Sequence, residues 1–164
     1  MSAPRVTLVL LQLADLEALL ADPTVLDGVP VEDGALPPPE LVARFRDALR
    51  AGDLPFWRSI WAYVVGSPDR IAGSACFKGP PSDGRVEIGY GVADAWRGKG
   101  IATSGARQLV EIAFLQDGVR EVLAETRPDN PASQRVLEKT GLFQRGEERD
   151  SEEDGRVIQW LARR

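Results

Sequence analysis

The chain predicts an α/β domain of the mixed α+β kind, with a twisted sheet of about seven strands and about four helices. Three observations lead there. Residues 86–126 read as a strand, a glycine-rich turn, a long helix and a second strand, and a unit of that length requires a parallel crossover. Gly66-Ser-Pro-Asp69 between two apolar runs reads as a hairpin turn, and residues 142–161 as a final hairpin, so the sheet is otherwise mostly antiparallel. Apolar residues recur at helical spacing in four separate stretches.

In chain order, Arg5 to Leu11 reads as a first strand and Ala14 to Ala21 as a short helix with Leu16, Leu19 and Leu20 on one face. Asp22 to Pro39 carries five prolines and two glycines, yet Val25, Leu26, Val29, Val31 and Leu36 are spaced through it, so it reads as a structured loop. Pro38 and Pro39 open a helix from Glu40 to Leu49, which Gly52 ends. Trp57 to Val65 is expected as a strand with Trp57, Ser59, Trp61 and Tyr63 on one face. That aromatic face either lines a pocket or packs in the core.

Arg70 to Phe77 follows as a strand holding Cys76, which reads as a small core residue. Gly79 to Gly84 turns into the strand Val86 to Val92, where Gly89 and Gly91 are expected to weaken or bulge the pairing. A helix from Ala102 to Phe114, a strand from Arg120 to Thr126 and a helix from Asn130 to Thr140 with Val136 and Leu137 inward come next, and Gly141 stops the last of these. Leu142 to Arg149 and Arg156 to Leu161 form the closing hairpin. Its tip, residues 147–154, holds six acids and one arginine; it reads as a solvated turn or as a field that attracts a cationic partner.

Composition narrows the function. A chain of 164 residues suits a single domain, residues 1–164, and 43% hydrophobic with 27% charged residues is ordinary for a globular protein. A net charge of −5 argues against nucleic acid as a partner. The one cysteine makes no internal disulfide, which points to a reducing compartment, and the apolar run Val6 to Leu13 is too short to span a membrane and lacks a cleavage pattern. The expected location is the cytoplasm, with no membrane partner. Histidine is absent, which excludes Ser-His-Asp and Cys-His catalysis and leaves no metal site expected.

The chemistry concentrates after the strand Val86 to Val92. From Ala95 to Val110 there is no acidic residue, while Arg97, Lys99 and Arg107 are basic. A cationic, glycine-rich turn at a helix start gathers free backbone N–H groups at a positive dipole end, which suits phosphate. A Walker A loop fails here, because position 93 is Ala and position 100 is Gly. A dinucleotide fingerprint read from Gly98 fails at Thr103. What is left is Arg97-x-x-Gly100-x-Ala102.

That motif, after an Ile-Gly-Tyr-Gly-Val strand, resembles the acetyl-CoA pyrophosphate loop of the GNAT superfamily of N-acetyltransferases. The block Asn130-Pro-Ala-Ser133-Gln-Arg-Val-Leu-Glu-Lys139-Thr-Gly141-Leu-Phe143 is similar to the branch containing ribosomal-protein N-terminal acetyltransferases. The likeness covers residues 57–163 well and the first 55 in outline. It implies the GNAT fold, with a splayed parallel pair of strands, and acetyl transfer from acetyl-CoA as co-substrate to a primary amine by direct attack in a ternary complex. The acceptor would be a small-molecule amine or a protein N-terminus, and the loop 22–39 would border its groove; a homodimer is left open.

Residue by residue, the resemblance gives Val92 backbone contacts to the pantetheine. It gives the amides of Arg97, Gly98, Lys99, Gly100, Ile101 and Ala102 the pyrophosphate. Asn130 would bond the cofactor arm and also suits a helix N-cap. Ser133 is the candidate proton donor to the leaving thiolate. Many members carry a tyrosine acid seven positions after the Asn, where this chain has Leu137, so Tyr90 and Tyr63 stay open for that role. Glu87, on the strand face opposite Val86, Ile88 and Val92, is the candidate general base, with Glu125 as its alternative. The same features also suit a non-catalytic acyl-CoA-binding or sensor module.

Overall fold

The computed structural model describes residues 4–152 and 154–164. The first strand, β1 (Thr7–Leu10), leads into α1 (Leu13–Ala21), a two-residue pair β2 (Val25–Leu26) and β3 (Val29–Pro30), and then α2 (Pro39–Arg50) and the single turn α3 (Pro55–Arg58). Next come β4 (Ile60–Val65), β5 (Arg70–Phe77), β6 (Arg85–Val92), a 3-10 turn at Asp94–Trp96 and α4 (Ile101–Phe114). The chain closes with β7 (Glu121–Thr126), α5 (Pro131–Thr140), β8 (Phe143–Ser151) and β9 (Gly155–Arg163).

Seven strands form one sheet in the order β1-β4-β5-β6-β7-β9-β8, and only β6 and β7 run parallel. The expected mixed sheet is therefore present, with five α-helices among the described residues where about four were expected. The loop 22–39 holds the separate β2–β3 hairpin, which the sequence reading lacked.

Each face of the sheet buries its own cluster. On one face, Leu16 and Leu19 of α1 and Val42, Phe45 and Leu49 of α2 pack on Ile60, Ala62 and Ile71. On the other, Leu109 and Ala113 of α4 and Leu137 of α5 cover Tyr63, Phe77, Val86, Ile88 and Val122. A leucine buried as completely as Leu16 or Leu109 contributes roughly 2–3 kcal/mol of transfer free energy. Gly141, at φ 99°, ends α5 as the sequence indicated.

Two expectations fail here. Trp57 lies in α3, not in a strand: Pro55 opens a helical turn, and Trp57 and Phe56 pack edge-on and stacked against Phe77. Trp61 and Tyr63 do share a face, and it is the α4-covered core, so this aromatic row packs the interior, with Trp61 also bordering a cavity beside the start of α4. β6 is also not bulged against β5. Its register with β5 runs without a shift through Gly89↔Cys76 and Gly91↔Ser74.

β8 is solvent-exposed along nearly its whole length, and its charged residues guard an otherwise open sheet edge. The acidic segment 147–154 lies on β8 and its turn into β9, as the solvated-hairpin reading expects; Glu153 lies outside the described residues. No helix among the described residues is long and apolar enough to cross a membrane.

α4 lies close to the sheet because residue 105 has no side chain. A Cβ on Gly105 would sit 2.2 Å from Cζ of Tyr63, whose ring is fully buried. Gly105→Ala should therefore destabilise by about 1–3 kcal/mol, even though alanine is the better helix former by about 1 kcal/mol. Urea unfolding checks this, and an unchanged midpoint would mean that α4 is free to shift. The buried Tyr63 hydroxyl has no hydrogen-bond partner among the described residues, so Tyr63→Phe should be neutral or stabilising in the same assay.

Candidate active site

The site begins where two paired strands stop pairing. β6 and β7 bond from Arg85↔Glu121 to Ile88↔Ala124 and no further. Beyond that point β6 stays with β5, through Val92↔Gly73, while β7 stays with β9, through Thr126↔Ile158. At the closed end, Glu121 binds Arg85 at 2.6 Å and Arg163 at 3.4 Å, tying β6, β7 and β9 together. At the open end, the inner edges of Gly89–Val92 and of Glu125–Thr126 face a cleft. Val92, a predicted backbone contact, lies there.

α4 starts beside that cleft. Gly98 and Gly100 take φ of 74° and 80°, left-handed values that side chains resist, and Gly100 is the N-cap. No side chain caps α4, and its first turn has no acid. The first N–H groups of the helix, from Ile101 and Ala102 onward, thus have no side chain serving them among the described residues, and the dipole favours an anion there. Arg97 is held 3.1 Å from Asp94, and the Lys99 ammonium sits 5.3 Å from the Trp96 ring centroid. The Arg97–Asp94 pair is largely exposed, so it is weak and exchangeable.

α5 lies across the cleft. Oδ1 of Asn130 accepts the Ser133 N–H at 3.1 Å, the N-cap bond that sequence predicted. This geometry sets the Ser133 hydroxyl 2.8 Å from the Tyr90 hydroxyl, which also donates to the Ser133 carbonyl at 3.1 Å. The structure so brings together two of the three hydroxyl candidates and separates the third, since Tyr63 is sealed under Gly105. Burial pushes the Tyr90 hydroxyl above its ordinary pKa, partly offset by the bond to Ser133, so it is a protonated donor at neutral pH. Leu137, where many relatives of the motif carry tyrosine, is fully buried core.

On the opposite face of β6 lies a groove of about 740 Å³. Residues 34–38 and α2 form one wall, and Ser74, Cys76, Lys78, Gly89 and Gly91 form the sheet side. Ser74 Oγ donates to the Ala35 carbonyl at 2.8 Å and pins the loop in place. Burial pushes the Cys76 thiol up to about 11, so it is no thiolate nucleophile. Glu87 is not free: its carboxylate lies 2.6 Å from Lys78 Nζ. Burial pulls the Lys78 ammonium down, but the Glu87 bond outweighs this and holds it above its ordinary value. Glu125, the alternative base, is nearly buried and bound by Arg149 at 2.5 Å. A Cβ at Gly91 would meet nothing within 4 Å and one at Gly89 only side-chain atoms at 3.8 Å. Packing therefore demands neither glycine, and both leave groove space open.

A family model described as acetyltransferase (GNAT) domain matches residues 5–142. The chain belongs to the GNAT acetyltransferase family. A relative in Bacillus subtilis, the uncharacterized N-acetyltransferase YjdG, is 30% identical over 105 residues, and the match spans 63% of this chain and 62% of that relative's length. Among solved structures, a GNAT-family acetyltransferase from Bacillus anthracis aligns over 99% of this chain and 97% of its own, with a TM-score of 0.67 at 17% identity. The aminoglycoside acetyltransferase AAC(6')-Ib, solved with coenzyme A, aligns over 98% and 95% with a TM-score of 0.66 at 23% identity. At these identities the structures establish the GNAT fold of this chain.

In this GNAT domain, sequence reasoning missed Lys78, the ionic partner that occupies Glu87, and left Tyr90 undecided. Parity along β6 held the signal for Tyr90: it shares the helix-covered face with Val86, Ile88 and Val92. No group of three or more Cys, Asp or Glu able to hold a metal occurs among the described residues.

The chain has two tyrosines, and burial raises both pKa values. At pH 10 an ordinary tyrosine is half ionised, so tyrosinate absorbance there should fall well short of one residue equivalent, and the folded state should lose stability as pH rises above 10. A normal titration near 10 would show that the Tyr90 hydroxyl is open to solvent.

Proposed function

We propose that this protein is an acetyl-CoA-dependent N-acetyltransferase whose acceptor is a primary amine, attacking directly in a ternary complex. The observation that carries this reading is the parting of β6 from β7, with an uncapped helix start at one side and a hydroxyl pair at the other. The amides of residues 97–102 would hold the diphosphate of coenzyme A. Val92 and its neighbours would offer unpaired backbone groups to the pantetheine arm. The spare amide N–H groups of Asn130 suit the same arm, since its oxygen is committed to the N-cap.

The acceptor would enter from the groove, so that the two substrates meet across Gly89, Tyr90 and Gly91. Attack of the neutral amine on the thioester carbonyl forms the C–N bond and an oxyanion, which a β6 backbone N–H would stabilise by about 3 kcal/mol. When the C–S bond breaks, the Tyr90–Ser133 pair would supply the proton to the thiolate, because each hydroxyl keeps the other aligned. Glu87, 2.6 Å from Lys78 Nζ, would take the ammonium proton through water. The block Asn130 to Phe143 supports placing the chain beside the ribosomal-protein N-terminal acetyltransferases, and its lone free thiol suits the cytoplasm.

Acetyl-CoA at millimolar concentration should raise the thermal midpoint, and Gly100→Glu should abolish that rise by placing a carboxylate on the phosphate site. No stabilisation by acetyl-CoA would remove the basis for the reading.

With any accepted amine, Tyr90→Phe should lower thiol release by about 100-fold in kcat with little change in KM, and Glu87→Gln should lower kcat by about tenfold or more. An unchanged kcat in Glu87→Gln would assign the base elsewhere.

A further inference from the structure

We infer that the acceptor carries an anionic group, a carboxylate close to its reacting amine, and is not a polycationic amine. The inference rests on the transferase reading and concerns the groove alone. In a chain of net charge −5, the groove lining contains Arg44, Arg58 and Lys78 against a single acid, Glu40. Arg44 projects from the groove face of α2, in line with Leu41, Phe45 and Ala48, and has no ion pair or hydrogen bond among the described residues. Arg58 has only a loose contact, 3.7 Å to Asp53, which leaves most of its donors open. Glu40 sits in the first turn of α2, where the helix dipole already favours it.

The charges divide by wall. Arg44 and Arg58 belong to the helical wall, whereas the sheet wall's one cation, Lys78, is already paired with Glu87 at 2.6 Å. An acceptor with its carboxylate toward Arg44 meets an opposite charge there, and its amine then faces a sheet wall whose one cation is already neutralised by Glu87. A polyamine or aminoglycoside instead sets a second cation against two guanidinium groups. The carboxylate could come from the acceptor's own α-carboxyl, as in a free amino acid, or from an acidic side chain next to a peptide N-terminus; the chemistry at Arg44 is the same.

Thiol release is measured with four acceptor sets: free amino acids, their carboxamides, peptides with Glu or with Lys after the N-terminal Ser, and spermidine with an aminoglycoside. Carboxylate-bearing acceptors should exceed their neutral or cationic counterparts by about tenfold or more in kcat/KM, the scale of one lost charge contact. Whether the amino acid or the Glu-peptide is favoured identifies the source of the carboxylate. Arg44→Glu should raise KM for the carboxylate acceptor about tenfold with kcat nearly unchanged and narrow or reverse the preference; Arg44→Met, which keeps the stem, should give a smaller rise. Equal use of acid and amide, or a preference for spermidine or the aminoglycoside, overturns the inference while leaving the transferase reading standing. Stabilisation by acetyl-CoA with no thiol release from any set overturns both.

Discussion

A backbone that stops pairing must place its N–H and C=O groups somewhere, and the site follows from where β6 and β7 do so. The two strands are joined as far as Ile88 and Ala124, and each then continues with its outer neighbour. The Glu121 pairs with Arg85 and Arg163 fix the closed end, so the opening has a fixed origin. Everything the site uses is measured from that point: the α4 start that follows β6, the α5 start that follows β7, and the two glycines that leave the groove side of β6 bare.

The rigidity of these parts comes from burial on both faces. Leu109 and Ala113 hold α4 on the sheet, Leu137 holds α5, and α1 with α2 close the other side. Tyr90 meets Ser133 from a strand and a helix that both pack into the same core, and burial raises its hydroxyl pKa above the ordinary value. Pinning of the loop at Ala35 by Ser74 gives the groove wall the same firmness. The Tyr90–Ser133 pair and the groove thereby lie on opposite faces of β6.

Charge then differentiates the two spaces. The α4 start presents backbone dipoles and exposed cations whose own pairings are weak. The groove side relies on side chains, with two arginines on the helical wall and a carboxylate–ammonium pair on the sheet. The charge of Asp154, in the turn between β8 and β9, helps hold the Lys78 ammonium above its ordinary pKa.

Local patterns alone determined a good deal. The parallel crossover, the helix of α4, the stop at Gly141 and the N-cap at Asn130 are short-range effects of period, turn chemistry and capping, and they stand in the structure where the residues place them. Other features depended on partners far away in sequence. Gly89 and Gly91 read as a bulge, yet β5 holds the β6 register unbroken and the opening falls on the β7 side. Trp57 to Tyr63 read as one strand face, yet Pro55 makes a helical turn and α4 covers the aromatics. Which tyrosine meets Ser133, and that Lys78 occupies Glu87, are distances across 43 and nine positions of chain. The sequence by itself determined most of the elements and the glycine-rich, uncapped start of α4, because backbone propensity acts over a few residues. Only the tertiary structure decided which hydroxyl, cation and carboxylate share a site, because packing of the two helical layers sets those contacts.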